Sequence, residues 1–141
     1  MKQSERKLTV STQVPIERVA DTLIGAFEGG SNYWMGSVKW GTYFEDAHRK
    51  SPFKDEAIGS VYSNVLAWAW EQHLHFQIKV IADEEADYQE GAINPRSIQR
   101  GVQLMARDYP RHYEDMISEQ DDATTSDVLL QCIVYDEVVF G

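Results

Sequence analysis

The sequence predicts an α+β fold in which an early helix and two or three C-terminal helices pack on an antiparallel β-meander. Three observations lead to this prediction: a helical apolar stripe lies near the N-terminus, strand-like segments occupy the middle of the chain, and helical spacing returns towards the C-terminus. Helices grouped after strands are typical of α+β proteins. The length of 141 residues suits one domain, so we expect a single domain over residues 1–141.

The first part of the chain predicts one strand followed by one helix. Apolar and polar residues alternate over residues 7–14, which indicates a short strand with one buried face. Pro15 suits the first position of a helix, and apolar residues recur at helical spacing from there to about residue 28. We expect Gly29 and Gly30 to end this helix, because glycine readily adopts the left-handed backbone of helix ends.

The middle of the chain predicts the strands of the meander. Residues 37–44 and 59–70 are rich in β-branched and aromatic residues, and residues 73–81 alternate between apolar and polar. Residues 48–55 are charged and include a proline, so we expect a loop there. The acid-rich residues 83–90 contain no base and predict a second, solvated loop.

Helical spacing returns after residue 93. Asn94 and Pro95 suit the N-cap and the first position of a helix. Pro110 lacks the N–H that a helix interior needs, so it must kink this helix or begin a new one. The sequence leaves these two possibilities open.

The C-terminal residues predict a last, buried helix. Thr124 and Asp127 have the spacing of a capping box, with Asp in the place usually taken by Glu. Residues 128–134 are almost continuously apolar, which is typical of a helix enclosed by other elements. We expect residues 138–140 to pack onto the core beside it.

The charge balance limits the kinds of partner. The chain has 23 acidic and 13 basic residues, which give a net charge of −10. This charge argues against a protein that binds duplex nucleic acid, because phosphate contacts require clustered Lys and Arg. The one cysteine, Cys132, cannot form an internal disulfide, which fits a reducing compartment. No apolar stretch is long enough for a signal peptide or a membrane helix. We therefore expect a cytoplasmic protein that does not bind membranes.

Signatures of catalysis and metal binding are weak. The chain contains no P-loop, GxGxxG or GxSxG motif. Glu71, His73 and His75 alternate along a predicted strand, but an exposed polar face explains this spacing better than a metal site does. Cys132 lies in the most apolar segment, where a cysteine usually acts as a small hydrophobe. We expect no enzymatic activity, no cofactor and no bound metal.

A candidate ligand-binding segment follows the double glycine. Asn32, Tyr33 and Trp34 supply one amide and two aromatic rings at the end of a helix. An amide can read the edge of a nucleobase, and aromatic rings can stack on its face. The alternative interpretation is that the two rings cap the core.

A second candidate cluster surrounds Pro110. Arg107, Arg111 and His112 bring two guanidinium groups and an imidazole close together in an acidic chain. Such groups favour a phosphate-binding role because guanidinium forks match phosphate oxygens. The alternative is a set of ion pairs with neighbouring Asp108 and Glu114.

Four stretches together resemble a family of small proteins encoded by tailed phages and prophages. They are residues 27–34 (FEGGSNYW), 105–112 (MARDYPRH), 122–131 (DATTSDVLLQ) and 137–141 (EVVFG). The resemblance spans most of the chain, from about residue 8 to residue 141. Among such phage proteins, the chain is similar to the Thoeris anti-defence sponges. That resemblance implies an α+β oligomer that sequesters a cyclic ADP-ribose isomer or a cyclic oligonucleotide without cleaving it.

The resemblance also implies roles for individual residues. The residues that would hold the base or ribose are Asn32, Tyr33 and Trp34. The residues that would hold the diphosphate are Arg107, Arg111 and His112. The residues that would order the cleft or hydrogen-bond a ribose are Asp122, Thr125 and Gln131.

Two other classes of function stay open. An acidic inhibitor of a host defence protein, such as a DNA mimic or an anti-CRISPR protein, would use the net charge of −10 and the acidic runs at residues 83–90 and 114–122. A small hydrolase or transferase would turn its ligand over, whereas a sponge returns it intact. The many Trp and Tyr residues exceed what a small core needs, so we expect a homo-oligomer whose subunit boundary joins the two candidate clusters.

Overall fold

A computed structural model describes residues 13–83 and 90–141 of the chain. Within these ranges the strands are β1 (Met35–Lys39), β2 (Ile78–Ala82) and β3 (Glu90–Ile93). The helices in the same ranges are α1 (Ile16–Gly25), α2 (Thr42–Lys50), α3 (Ile58–Glu71), α4 (Pro95–Asp108), α5 (Pro110–Ile117) and α6 (Ala123–Tyr135). The strands form one antiparallel sheet in the order β1-β2-β3. The predicted α+β class, with an early helix and C-terminal helices, is confirmed.

The early helix ends at the double glycine, as predicted. α1 begins after Pro15 and passes into one π-helical turn, Ala26–Gly30. Gly29 has a φ of 151°, which L-residues rarely adopt. A Cβ on Gly30 would lie 2.7 Å from the carbonyl oxygen of Ala123, so glycine allows this turn to approach the start of α6. The strand predicted over residues 7–14 lies outside the described residues, except for its last two positions, which are not in a strand.

The strand prediction for residues 59–70 is wrong, because this segment forms helix α3. Its buried side chains recur at helical spacing: Val61, Tyr62, Val65, Leu66 and Ala69. The β-branched and aromatic content that suggested a strand therefore belongs to the buried face of a helix and its flanks.

Residues 37–50 also differ from the prediction. β1 ends at Lys39, and Gly41, with a φ of 82°, turns the chain into α2. The last part of the predicted strand and the first part of the predicted loop are therefore helical. Basic residues fill the last turn of α2, where they complement the negative end of the helix dipole.

The central strand β2 begins later than the alternating pattern of residues 73–81 predicted. The strand spans Ile78–Ala82, and residues 79–81 pair with both neighbours; Val80 lies opposite Val38 of β1 and Gly91 of β3. Phe76 is fully buried before the strand begins. The acidic loop predicted over residues 83–90 lies mostly outside the described residues, and Glu90 begins β3.

The predicted start of α4 is confirmed. The Asn94 side chain accepts a hydrogen bond from the backbone N–H of Ser97 at 2.7 Å, and the Ser97 hydroxyl accepts one from Asn94 N–H at 2.9 Å. This reciprocal pair satisfies two N–H groups that the helix leaves free. Pro110 separates two helices, because α4 ends at Asp108 and α5 starts at Pro110.

α6 is the central helix of the fold and is buried from Thr125 to Ile133. It contacts α1, α4, α5 and β3. The capping box predicted from Thr124 and Asp127 is wrong, since Asp122 caps α6 by accepting a hydrogen bond from Thr125 N–H at 2.9 Å. The predicted packing of the C-terminal residues is confirmed by Phe140, which stacks on Trp34 with ring centroids 5.0 Å apart.

Candidate ligand-binding site

Three of the four resembling stretches meet around the carboxylate of Asp127. This side chain is 7% exposed. Its Oδ1 accepts hydrogen bonds from Ser31 Oγ at 2.8 Å and from Trp34 Nε1 at 2.7 Å. Its Oδ2 accepts hydrogen bonds from the Tyr33 hydroxyl at 2.5 Å and from Gln131 Nε2 at 3.0 Å. Four donors thus replace the water that this carboxylate loses on burial.

Gln131 extends this network to the C-terminal residues. Its Oε1 accepts hydrogen bonds from the backbone N–H groups of Val139 and Phe140, both at 2.7 Å. Its Nε2 also donates to the Phe140 carbonyl at 3.2 Å. The side chain is fully buried, so its amide joins α6 to the C-terminal segment from inside the protein.

The segment predicted to bind a base has one buried and two exposed members. Trp34 is 2% exposed and is covered by Phe140, so its ring offers no free face in this arrangement. Asn32 is exposed, and the Tyr33 side chain is 57% exposed although its hydroxyl is bound to Asp127. Partial burial, the hydrogen bond to Asp127 and its negative charge raise the pKa of Tyr33 to about 12.

A second network joins three of the other predicted site residues. His112 Nδ1 lies 3.0 Å from Thr125 Oγ1, and Asp122 accepts the Thr125 N–H hydrogen bond. That backbone hydrogen bond is the main reason that the pKa of Asp122 is lowered. Thr125 is fully buried, so this network holds α5 against the start of α6.

The two networks extend in different directions. Thr125 and Asp127 lie about 200° apart around α6, since each residue of an α-helix turns by about 100°. Arg111 is exposed and belongs to neither network. Arg107 is also exposed and pairs with Asp108 through two hydrogen bonds of 2.8 and 3.0 Å. The structure therefore joins six of the nine predicted residues in two groups, and Asn32, Arg107 and Arg111 lie outside both.

A groove that sequence reasoning missed lies between α1, α3, α4 and α5. Its volume is about 510 Å³. Two aromatic rings, of Trp70 and Tyr113, and three carboxamides, of Gln13, Gln99 and Gln103, line it with aliphatic side chains. Among the described residues that line it, none carries a charge at neutral pH. The only sequence signal is the helical spacing of Gln99 and Gln103, which is also common on solvated helices.

A smaller hollow adjoins this groove. It measures about 400 Å³ and contains Arg100, Gln103, Leu104, Arg107 and Asp136. Gln103 lines both spaces, so the groove and the hollow meet at this residue. Arg100 donates a hydrogen bond to the Asp136 carboxylate. Arg107 of the predicted phosphate cluster therefore lies next to the groove.

The alternating set of Glu71, His73 and His75 does not share a strand face. Glu71 ends α3, and His73 occupies a left-handed turn with a φ of 58°. His75 packs edge-on against Tyr43. Residues 13–83 and 90–141 contain no group of three His, Cys, Asp or Glu side chains placed to hold a metal ion.

Cys132 is fully buried in α6, and burial raises the pKa of its thiol to about 12. A thiol of such high pKa is protonated at neutral pH and is a poor nucleophile. In the two described ranges, no helix is both long and apolar enough to cross a bilayer.

No model of a known protein family matches this chain, and neither a curated protein nor a solved structure is significantly similar to it.

Proposed function

We propose that this chain is a phage-encoded counter-defence protein that sequesters a cyclic nucleotide-type immune signal in the host cytoplasm. The signal would be a cyclic ADP-ribose isomer or a cyclic oligonucleotide, bound without cleavage. The observation that carries the proposal is the uncharged groove of about 510 Å³ lined by aromatic rings and carboxamides. The resemblance in sequence supports the choice of ligand class.

The groove has the chemistry of a nucleobase site. A base is flat, uncharged and edged with hydrogen-bond donors and acceptors. The Trp70 and Tyr113 rings provide stacking surface, and the carboxamides of Gln13, Gln99 and Gln103 each offer donors and an acceptor. The groove volume lies within the range of about 300–1,000 Å³ typical of small-molecule sites.

Native mass spectrometry of the purified protein tests the proposal directly. The protein would be incubated with cyclic ADP-ribose isomers and cyclic dinucleotides, then heated, and the released compounds would be analysed. We expect a stoichiometric adduct that is released chemically unchanged, and the same spectrum gives the proposed oligomeric state. An altered product would indicate an enzyme, and the absence of any adduct would contradict the proposal.

Two tryptophans of α3 provide a matched pair of variants. Trp70 lines the groove, whereas Trp68 lines a different hollow, and both are half-buried. Loss of a stacking ring usually weakens binding by about tenfold or more, so Trp70→Leu should reduce nucleotide affinity by that factor. Trp68→Leu should leave affinity unchanged. Equal losses of nucleotide affinity in the two variants would show that the groove does not hold the base.

The residues implied by the resemblance offer a second location for the same ligand. Asn32 is exposed, the exposed Tyr33 ring belongs to the Asp127 network through its hydroxyl, and Arg111 is exposed on α5. Tyr33→Ala and Arg111→Ala should retain binding if the groove holds the base. If these variants stay folded and lose the ligand while Trp70→Leu retains it, the ligand contacts Tyr33 and Arg111 instead of the groove.

The alternative function, an acidic protein inhibitor, is favoured by one observation. A hollow between α1 and α3 is lined by Glu17, Asp21 and Glu71 beside Phe53 and Trp68, and none of the described residues that line it is basic. Such a surface suits a basic partner protein. An inhibitor held by exposed charges would lose activity steeply as salt rises, whereas a ligand enclosed in the groove would be released much less.

A further inference from the structure

We propose that the hollow bounded by Arg100 and Arg107 binds the phosphate groups of the ligand, with Gln103 between these groups and the base. This assignment of the ligand rests on the proposed function, but the anion site itself can be tested alone. It adds Arg100 and Gln103 to the candidate residues and separates Arg107 from Arg111 and His112.

Helix geometry places the two spaces side by side. Gln99, Val102, Gln103 and Ala106 form one row along α4 that lines the groove. The hollow is lined by the adjacent row, at positions 100, 103, 104 and 107. Residues three and four apart are neighbours on a helix surface, so Gln103 lies between Arg100 and Arg107, whose positions on α4 are about two turns apart.

The present partners of the arginines indicate what they can bind. The guanidinium of Arg107 donates from Nε and Nη2 to the two carboxylate oxygens of Asp108, at 2.8 and 3.0 Å. This side-on geometry is the one that guanidinium groups also use towards phosphate oxygens. Arg100 also binds a carboxylate, through one hydrogen bond from its Nε to Asp136 Oδ1.

These ion pairs can be exchanged for a phosphate at little cost. The side chains of Arg100 and Arg107 are 50% and 73% exposed, and their acidic partners are 56% and 45% exposed. Exposed ion pairs of this kind contribute little to folding stability, so opening them does not endanger the fold. A diphosphate carries more charge and more acceptor oxygens than either carboxylate, and it would replace both partners at once.

Titration of the full chain with inorganic pyrophosphate, followed by NMR at constant ionic strength, tests the anion site without any nucleotide. We expect the Nε–H signals of Arg100 and Arg107 and the side-chain amide signals of Gln103 to shift and saturate. The exposed Arg49, which pairs with Asp46 on α2, should not follow them. Absence of shifts at the hollow, or equal shifts at Arg49, would overturn the proposal.

Paired double variants separate specific binding from net charge. Arg100→Gln with Arg107→Gln should weaken pyrophosphate binding about tenfold or more, because both forks are lost. Arg49→Gln with Lys50→Gln removes the same charge from α2 and should leave binding unchanged. Equal weakening by both would show non-specific attraction. Failure of all nucleotides to bind wild-type protein while pyrophosphate binds would instead contradict the proposed function.

Discussion

Asp127 shows how a single residue can organise distant segments. It gathers donors from the turn after α1 and from α6, and through Gln131 it is linked to the C-terminal segment. The sequence analysis placed Tyr33, Trp34 and Gln131 in a ligand site, with capping of the core as the alternative for the two rings. Their contacts give a structural reason for the same residue types, because a buried carboxylate requires donors on every side.

Asp127→Asn should therefore destabilise the fold strongly. The amide that replaces one carboxylate oxygen would face two donors, and the charge that strengthens the remaining hydrogen bonds would be lost. We expect the free energy of unfolding to fall by about 2–3 kcal/mol, measured by urea denaturation. Asp108→Asn, at an exposed carboxylate, should change it by less than about 0.5 kcal/mol. A loss at Asp127 as small as that at Asp108 would contradict the structural role of the network.

Tyr33 predicts a decline in stability at alkaline pH. Its pKa is about 12 in the folded protein, whereas a tyrosine in an unfolded chain has a pKa of about 10. A pKa raised by folding contributes stability in full below about pH 10, and this contribution is lost as pH rises through the folded value of about 12. Tyr33→Phe should make the urea midpoint fall less over this window, while Tyr43→Phe should follow the wild type. Identical declines in wild type and Tyr33→Phe would refute this.

At the scale of elements, the close approach of α4 and α6 depends on Gly101. A Cβ at this position would lie 2.6 Å from Ile133 Cα and 2.7 Å from its backbone nitrogen. Gly101→Ala should force the helices apart and lower the free energy of unfolding by about 2 kcal/mol or more. Gly59→Ala, in α3 with no atom within 4 Å of the added Cβ, should be neutral or raise it by up to about 1 kcal/mol. Thermal unfolding of both variants checks this, and similar losses would contradict it.

Two helix ends were predicted correctly because the sequence carries local signals for them. Asn94 and Pro95 mark the start of α4, and the double glycine marks the end of the first helix, because both signals act through the backbone of neighbouring residues. α3 lacks such signals: its N-cap is Ala57, with no side-chain hydrogen bond. Its β-branched and aromatic residues favour a strand by intrinsic propensity, but tertiary packing against α1 stabilises a helix instead.

At the scale of the whole molecule, the groove could not be predicted from the sequence. Its walls come from four helices, and its lining residues run from Gln13 to Tyr113. None of them is unusual in its own segment, since a glutamine on a helix is normally only solvated. Among the described Trp and Tyr residues that suggested an interface, Trp34 and Tyr62 are buried, whereas Tyr33 and Tyr43 are exposed. The homo-oligomer consequently stays a proposal that native mass spectrometry must test.

The net charge of −10 makes the position of each arginine important for the whole molecule. Arg18, with a side chain 17% exposed, connects α1 to the segment before α6. It donates to the Met116 carbonyl at 2.9 Å and contacts Glu119 at 3.0 Å and Asp121 at 3.3 Å. Without its guanidinium, the carboxylates gathered around it would repel one another across this junction.

We therefore expect Arg18→Gln to lower the free energy of unfolding by about 1–2 kcal/mol at low salt. The expected loss is no larger because Glu119 is exposed, and solvent weakens its ion pair with Arg18. Added sodium chloride should recover part of this loss by screening the repulsion. Arg96→Gln, which removes the same charge from an exposed position on α4, should have little effect at either salt concentration. Urea denaturation at low and high salt measures all three proteins. A loss in Arg18→Gln that salt does not reduce would show that the hydrogen bond to Met116, rather than charge compensation, makes this arginine important.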